Sequence, residues 1–255
     1  MSQRDRLRAQ QLAAAKAAQQ RRIVWIGAGV VALVLALVVG VVIFTTAQQG
    51  GGTAKPPNVT AKSDAFTVAA DKAATTAPAV ELYYDYQCPG CKAFDDAFGT
   101  QLVQMARDGK IKFTLHPLTF LDRFGAGKST NPTIGAACAD IAGVFPEYHL
   151  AVFKNQPATE GNGYTTEQLR VTIPTQAGLT GDKLKQYQAC YDTRATATWV
   201  ADANKQNSEY TQAQAATNEK WAYTPAFVVN GKLQDYSNLP TDATQLLAAI
   251  TKMAG

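Results

Sequence analysis

The run from Ala79 to Tyr86, apolar or aromatic at Ala79, Val80, Leu82, Tyr83, Tyr84 and Tyr86, leads into Cys88-Pro89-Gly90-Cys91. Behind it, Phe94, Phe98, Leu102 and Met105 recur every three or four residues, with Asp95, Asp96 and Gln101 on other faces. A buried strand that runs through a pair of cysteines into an amphipathic helix leaves few folds open. It also fixes the chemistry of the first thiol. Unpaired N–H groups at the first helical turn, with the positive end of the helix dipole, favour a negative sulfur and lower its pKa. Cys88 is therefore the candidate nucleophile, and Cys91, one turn further in, the candidate resolving thiol.

The competing use of two close cysteines is half of a structural zinc site, which needs four ligands, usually in two close pairs. No second pair exists. Cys138 and Cys190 stand alone, and the two histidines, His116 and His149, lie at no ligand spacing from them. No metal or organic cofactor is expected. Gly125-Ala126-Gly127-Lys128-Ser129 imitates a phosphate loop, but the pattern needs a glycine where Asp122 stands, so an exposed loop is expected there.

The front of the chain has a separate organisation. Ile23 to Phe44 is 22 residues without a charge, about 33 Å as a helix, enough to cross a bilayer core. Six basic residues, Arg4, Arg6, Arg8, Lys16, Arg21 and Arg22, precede it against one acid, Asp5. The positive-inside rule then places the N-terminus in the cytoplasm and the rest outside. A cleaved signal peptide is the alternative, though its apolar region is usually shorter. The whole chain carries +4, and the basic arm alone +5, which leaves about −1 for the remainder. That balance argues against a nucleic-acid surface on the main domain.

The expected organisation is a cytoplasmic basic arm (1–22), a transmembrane anchor (23–44), a flexible linker (45–64) with Gly50-Gly51-Gly52 and Pro56-Pro57, and an α/β domain (65–255). Ala65 to Ala70 is expected as a short first strand, Ala79 to Tyr86 as a central one, and Lys110 to Leu115 as the next. Helices fill a stretch of about 128–218. One is expected to be capped at Asn131-Pro132, one around His149, and one opened by a Thr165–Gln168 capping box, which Pro174 should break or kink. A further helix is expected from about Asp182 to Tyr191, and one long polar helix or two shorter ones from Arg194 to Asn218. The sheet resumes at Pro225 to Val229, turns at Asn230-Gly231, and a last helix runs from about Thr241 to Met253.

Three segments carry a family resemblance: VELYYDYQCPGCKAF (80–94), FPEYHLAVFKNQP (145–157) and TPAFVVNGK (224–232). With them the chain resembles the DsbA-type thiol–disulfide oxidoreductases, and its anchor and extra cysteine pair are similar to membrane-tethered actinobacterial members. The resemblance implies a thioredoxin-like fold with an inserted helical subdomain. It also implies a cis Thr224–Pro225 bond beside the dithiol, with Pro89, Gly90, Thr224 and Pro225 supporting the site. A membrane redox partner of the DsbB or vitamin K epoxide reductase type and exported cysteine-containing substrates are implied as well. With Cys88 and Cys91 forming the dithiol, Cys138 and Cys190 are left as a pair, expected as a structural disulfide, a second redox relay being the alternative. Two departures bear on mechanism. Leu82 occupies the position where many relatives carry a buried acid, which leaves Asp85 or water to move the proton, Glu81 being expected on the other side of the sheet. Gly90 stands where strong oxidases often have histidine, so a less oxidising couple is expected, with Lys92 recovering part of the effect.

The leading function is therefore an extracytoplasmic dithiol oxidase. A reductase or isomerase of the same fold stays open, because direction depends on the potential and the partner. So does a peptide-binding or chaperone module with an idle dithiol.

Overall fold

In the computed structural model of the chain, residues 52–255 are described. The basic arm and the expected membrane anchor lie outside the described residues, and no described helix is long and apolar enough to cross a membrane.

A five-stranded sheet in the order β1-β3-β2-β4-β5 organises the domain. Its strands are β1 (Phe66–Val68), β2 (Ala79–Tyr84), β3 (Lys112–Pro117), β4 (Ala226–Val229) and β5 (Lys232–Leu233). β2 lies at the centre, parallel to β3 and antiparallel to β4. Alternation assigns its residues to two faces. Val80, Leu82 and Tyr84 enter the main core with Phe113, Leu115, Phe227 and Val229, whereas Tyr83 enters a smaller cluster with Leu118, Trp221, Ala226 and Val228. The hairpin between β4 and β5 turns on Asn230 and Gly231, at φ 47° and 74°, the left-handed pair that a two-residue turn requires.

Helix α1 spans 89–107 and is interrupted by a π-helical turn, Asp95–Gly99, between Pro89–Phe94 and Thr100–Arg107. The wide turn brings the Asp95 carboxylate over Gly99, where a Cβ would lie 2.3 Å from Oδ1. Between β3 and β4 come α2 (Thr130–Ile141), α3 (Phe145–Lys154), α4 (168–176), α5 (Gly181–Asp192) and α6 (Ala197–Ala215), and the chain closes with α7 (Ala243–Met253). The Cys138–Cys190 disulfide joins α2 to α5.

Three local expectations are corrected. Of the break or kink expected at Pro174, the break does not occur, the helix running on through the proline to Gln176. A π-turn, Gln168–Thr172, precedes it, and the carbonyls it leaves without helical donors are taken by the next helix, Leu169 by the Tyr187 hydroxyl at 2.7 Å and Arg170 by Gln188 at 3.3 Å. The Thr165–Gln168 box does form, each side chain meeting the other's backbone N–H. Asn131 does not cap α2, which starts one residue earlier. Asp122 takes the Ser129 N–H at 2.5 Å and the Thr130 N–H at 3.3 Å, and Asn131 accepts from Arg194 at 2.8 Å instead. Finally, residues 52–64 do not hang free. Ala54 donates to the Ala195 carbonyl at 2.9 Å, and Asn58 grips Asp140 through its backbone N–H at 2.9 Å and its amide at 3.1 Å.

Candidate active site

Cys88 is the N-cap of α1, with extended backbone angles of φ −75° and ψ 120° and proline at the first helical position. Both features follow from the sequence, since proline needs no partner for its missing N–H there. The cap is a sulfur. Cys88 Sγ accepts the Cys91 N–H at 3.4 Å and approaches the Thr224 carbonyl, also at 3.4 Å. Both thiols are free, Cys88 8% exposed and Cys91 fully buried.

The two thiols are driven apart electrostatically. The hydrogen bond from Cys91 is the chief cause that brings the Cys88 pKa down to about 6; burial opposes it, and Thr224 and the N–H groups of Cys91 and Gly90 assist. Burial, then the bond to Cys88, pushes Cys91 well above the ordinary thiol range. A thiolate is thus favoured at position 88 and disfavoured at 91.

The Thr224–Pro225 peptide bond is cis and lies against the dithiol. A Cβ on Gly90 would stand 3.3 Å from the Thr224 carbonyl oxygen and 3.4 Å from Pro225 Cδ. Glycine therefore lets the helix start close on the proline loop. Pro89 and Gly90 are exposed above it.

Asp85 is fully buried. Its carboxylate accepts the N–H groups of Gln87 at 2.9 Å and Leu121 at 3.0 Å. Burial nonetheless raises its pKa to about 7, with the Ser129 hydroxyl close by but outside good hydrogen-bond geometry. Glu81 lies on the other sheet face, 3.3 Å from His116 Nε2. Lys92 does not reach Cys88. Its ammonium is held by Asp96 at 3.0 Å and by the Phe153 carbonyl at 3.0 Å, so its charge is spent elsewhere.

Other parts of the site were invisible to spacing. Gln156 donates to the carbonyls of Tyr86 and Cys88 at 2.9 and 3.0 Å, and the Tyr164 hydroxyl donates to Tyr86 at 2.9 Å. His149 is buried between Asp95 at 3.3 Å and the Tyr86 hydroxyl at 3.0 Å.

A family model described as thioredoxin matches residues 72–250. Among solved structures the chain is similar to reduced DsbA of Mycobacterium tuberculosis, at 21% identity and a TM-score of 0.55 over 75% of this chain and 93% of that one. It is similar to DsbG of the same organism at 22% and 0.56, over 79% and 93% of the two chains. MdbA, a thiol-disulfide oxidoreductase from Actinomyces oris, aligns at 20% and 0.58, over 78% and 92%. No curated protein sequence matches the chain. The family match takes in both the cysteines at 88 and 91 and the proline at 225, and the chain belongs to the thioredoxin family, with the fold of its DsbA-type members.

Proposed function

We propose that this thiol–disulfide oxidoreductase works as an oxidase outside the cytoplasm, passing the Cys88–Cys91 disulfide to cysteine-containing exported proteins. The observation that carries the reading is Cys88 Sγ at the helix N-cap, accepting the Cys91 N–H at 3.4 Å, an arrangement that brings its pKa down to about 6. The more the reduced form is stabilised as a thiolate, the more oxidising the couple. In the reaction a substrate thiolate attacks Cys88 Sγ, the Cys88–Cys91 bond breaks, and Cys91 leaves and takes up a proton. A second substrate thiolate then attacks the substrate sulfur of the mixed disulfide and Cys88 leaves as a thiolate. The substrate is oxidised by two electrons and the dithiol reduced by two. Reoxidation requires a further acceptor, for which a quinone-linked membrane protein of the DsbB or vitamin K epoxide reductase type is the partner we infer. The apolar segment 23–44 would tether the domain beside it.

Direction is read by equilibrating residues 52–255 against glutathione. A Cys88 pKa between those of thioredoxin, about 7, and DsbA, about 3.5, leads to a potential between about −270 and about −120 mV. A value at or below the thioredoxin end would make the protein a reductase.

The same thiolate adds to the reduced fold a stability that the oxidised form lacks. A thiol that titrates lower folded than unfolded adds stability that is full above about pH 8.5 and is lost as pH falls through about 6. Cys91, pushed upward, works against it only above about pH 8.5. Denaturation of both redox forms should therefore show a stability gap that widens from pH 5 toward about 8.5. A gap independent of pH would contradict the low Cys88 pKa.

Asp85 is the group we assign to hold the proton exchanged with Cys91, since a carboxyl titrating at about 7 can both give and take it at neutral pH. The rate at which Cys91 attacks a preformed mixed disulfide should bend near pH 7 in the native protein and lose that bend in Asp85→Asn. An unchanged profile would leave the transfer to water.

A further inference from the structure

Two cavities meet the Thr224–Pro225 pair. One, about 360 Å³, touches Pro225 and Tyr223 and contains both Lys220 and Asp235, so its charges offset. The other, about 210 Å³, lies against Thr224, whose carbonyl approaches Cys88 Sγ. Leu118, Phe120, Ala215 and Trp221 form an apolar stretch of its wall, Ser208, Thr211 and Gln212 a polar one, and Arg123 is the one charged residue that lines it. That volume falls below the range of about 300–1,000 Å³ usual for small-molecule sites and suits a side chain of a polypeptide better.

Arg123 is exposed and unusually fixed. Its guanidinium lies over two rings, 5.2 Å from the centroid of Phe120 and 4.9 Å from that of Phe124. No carboxylate pairs with it among the described residues. Phe124 is 52% exposed and Tyr223 71%, so the ring under Arg123 and the one beside Pro225 are both open to a docking segment. A planar cation already held by stacking gives up little freedom when a carboxylate docks on it.

We propose that Arg123 determines substrate preference, selecting extended cysteine-bearing segments that carry an acidic side chain near the cysteine. The carboxylate pairs with the guanidinium, and the methylene stem of a glutamate lies on the wall formed by Leu118, Phe120 and Trp221. This rests on the oxidoreductase reading and names the class of substrate for it.

The test uses oxidised protein and heptapeptides with a central cysteine, carrying glutamate, glutamine or lysine at each other position in turn, with mixed disulfide measured by mass spectrometry. At one or two positions the glutamate peptide should react about five- to tenfold faster than the lysine peptide at low salt, and less so at high salt. Arg123→Gln should bring that ratio toward one, and Arg123→Glu should invert it. Because a neighbouring glutamate also alters the peptide's own thiol, each peptide is compared with itself between proteins. The same ratios in all three proteins would overturn the inference while leaving the oxidoreductase reading intact. No mixed disulfide with any peptide, or with glutathione, would overturn both.

Discussion

Cys91→Ala is expected to change the neighbouring thiol as well as remove the second one. The bond from Cys91 is the largest influence holding Cys88 at about 6. Without it the Cys88 pKa should climb toward the ordinary thiol value of about 8.5, and the thiolate fraction at pH 7 should fall from about nine-tenths to a few per cent. Thiolate absorbance against pH reads this directly. Dithiol–disulfide turnover should stop, since no internal disulfide can form, while slow mixed-disulfide formation through Cys88 survives. Cys88→Ser should abolish even that, because Cys91 is fully buried. A Cys91→Ala protein whose Cys88 still titrates near 6 would mean that the N-cap position and the Thr224 side alone set the pKa. If Cys88→Ser kept both peptide binding and its cellular effect, the domain would be a binding module, its dithiol idle.

The second large effect concerns stability. Cys138 and Cys190 are separated by 52 residues, and closing a loop of that length stabilises by about 4 kcal/mol on the chain-entropy model. Cys138→Ser combined with Cys190→Ser should lower unfolding stability by about that amount or somewhat less. Exchange at Cys88 should persist, since the bridge ties α2 to α5 and touches none of the groups that set the Cys88 pKa. Reductant titration separates staple from relay. A staple stays closed at potentials that open Cys88–Cys91, whereas a relay opens with it.

What was legible in the sequence was local or periodic. A strand, a cysteine N-cap with proline behind it, and an amphipathic helix are each set by residues a few positions apart, and so are the Asn230-Gly231 turn and the Thr165–Gln168 box. What was not legible depended on a distant donor or acceptor. Pro174 fits inside a helix because Tyr187 and Gln188 of the next helix collect the carbonyls it frees. The start of α2 moved because Asp122, outside the helix, supplied the cap. Asp95 and His149 sit on different helices and pair only when α1 and α3 pack. Asp85 could be named as a candidate from its nearness to Cys88, but its pKa of about 7 comes from complete burial, which composition does not reveal.

The bonds from Gln156 and Tyr164 to the carbonyls of Tyr86 and Cys88 make the reactive loop a shared possession of two parts of the chain. Excising the helices between β3 and β4 would leave a sheet with a cysteine pair attached, and also backbone acceptors stripped of their donors at the place where the nucleophile must be held still. Each such loss in a buried setting costs about 1–3 kcal/mol. Any miniaturised version of this domain would therefore need new donors for those carbonyls before it needed anything else.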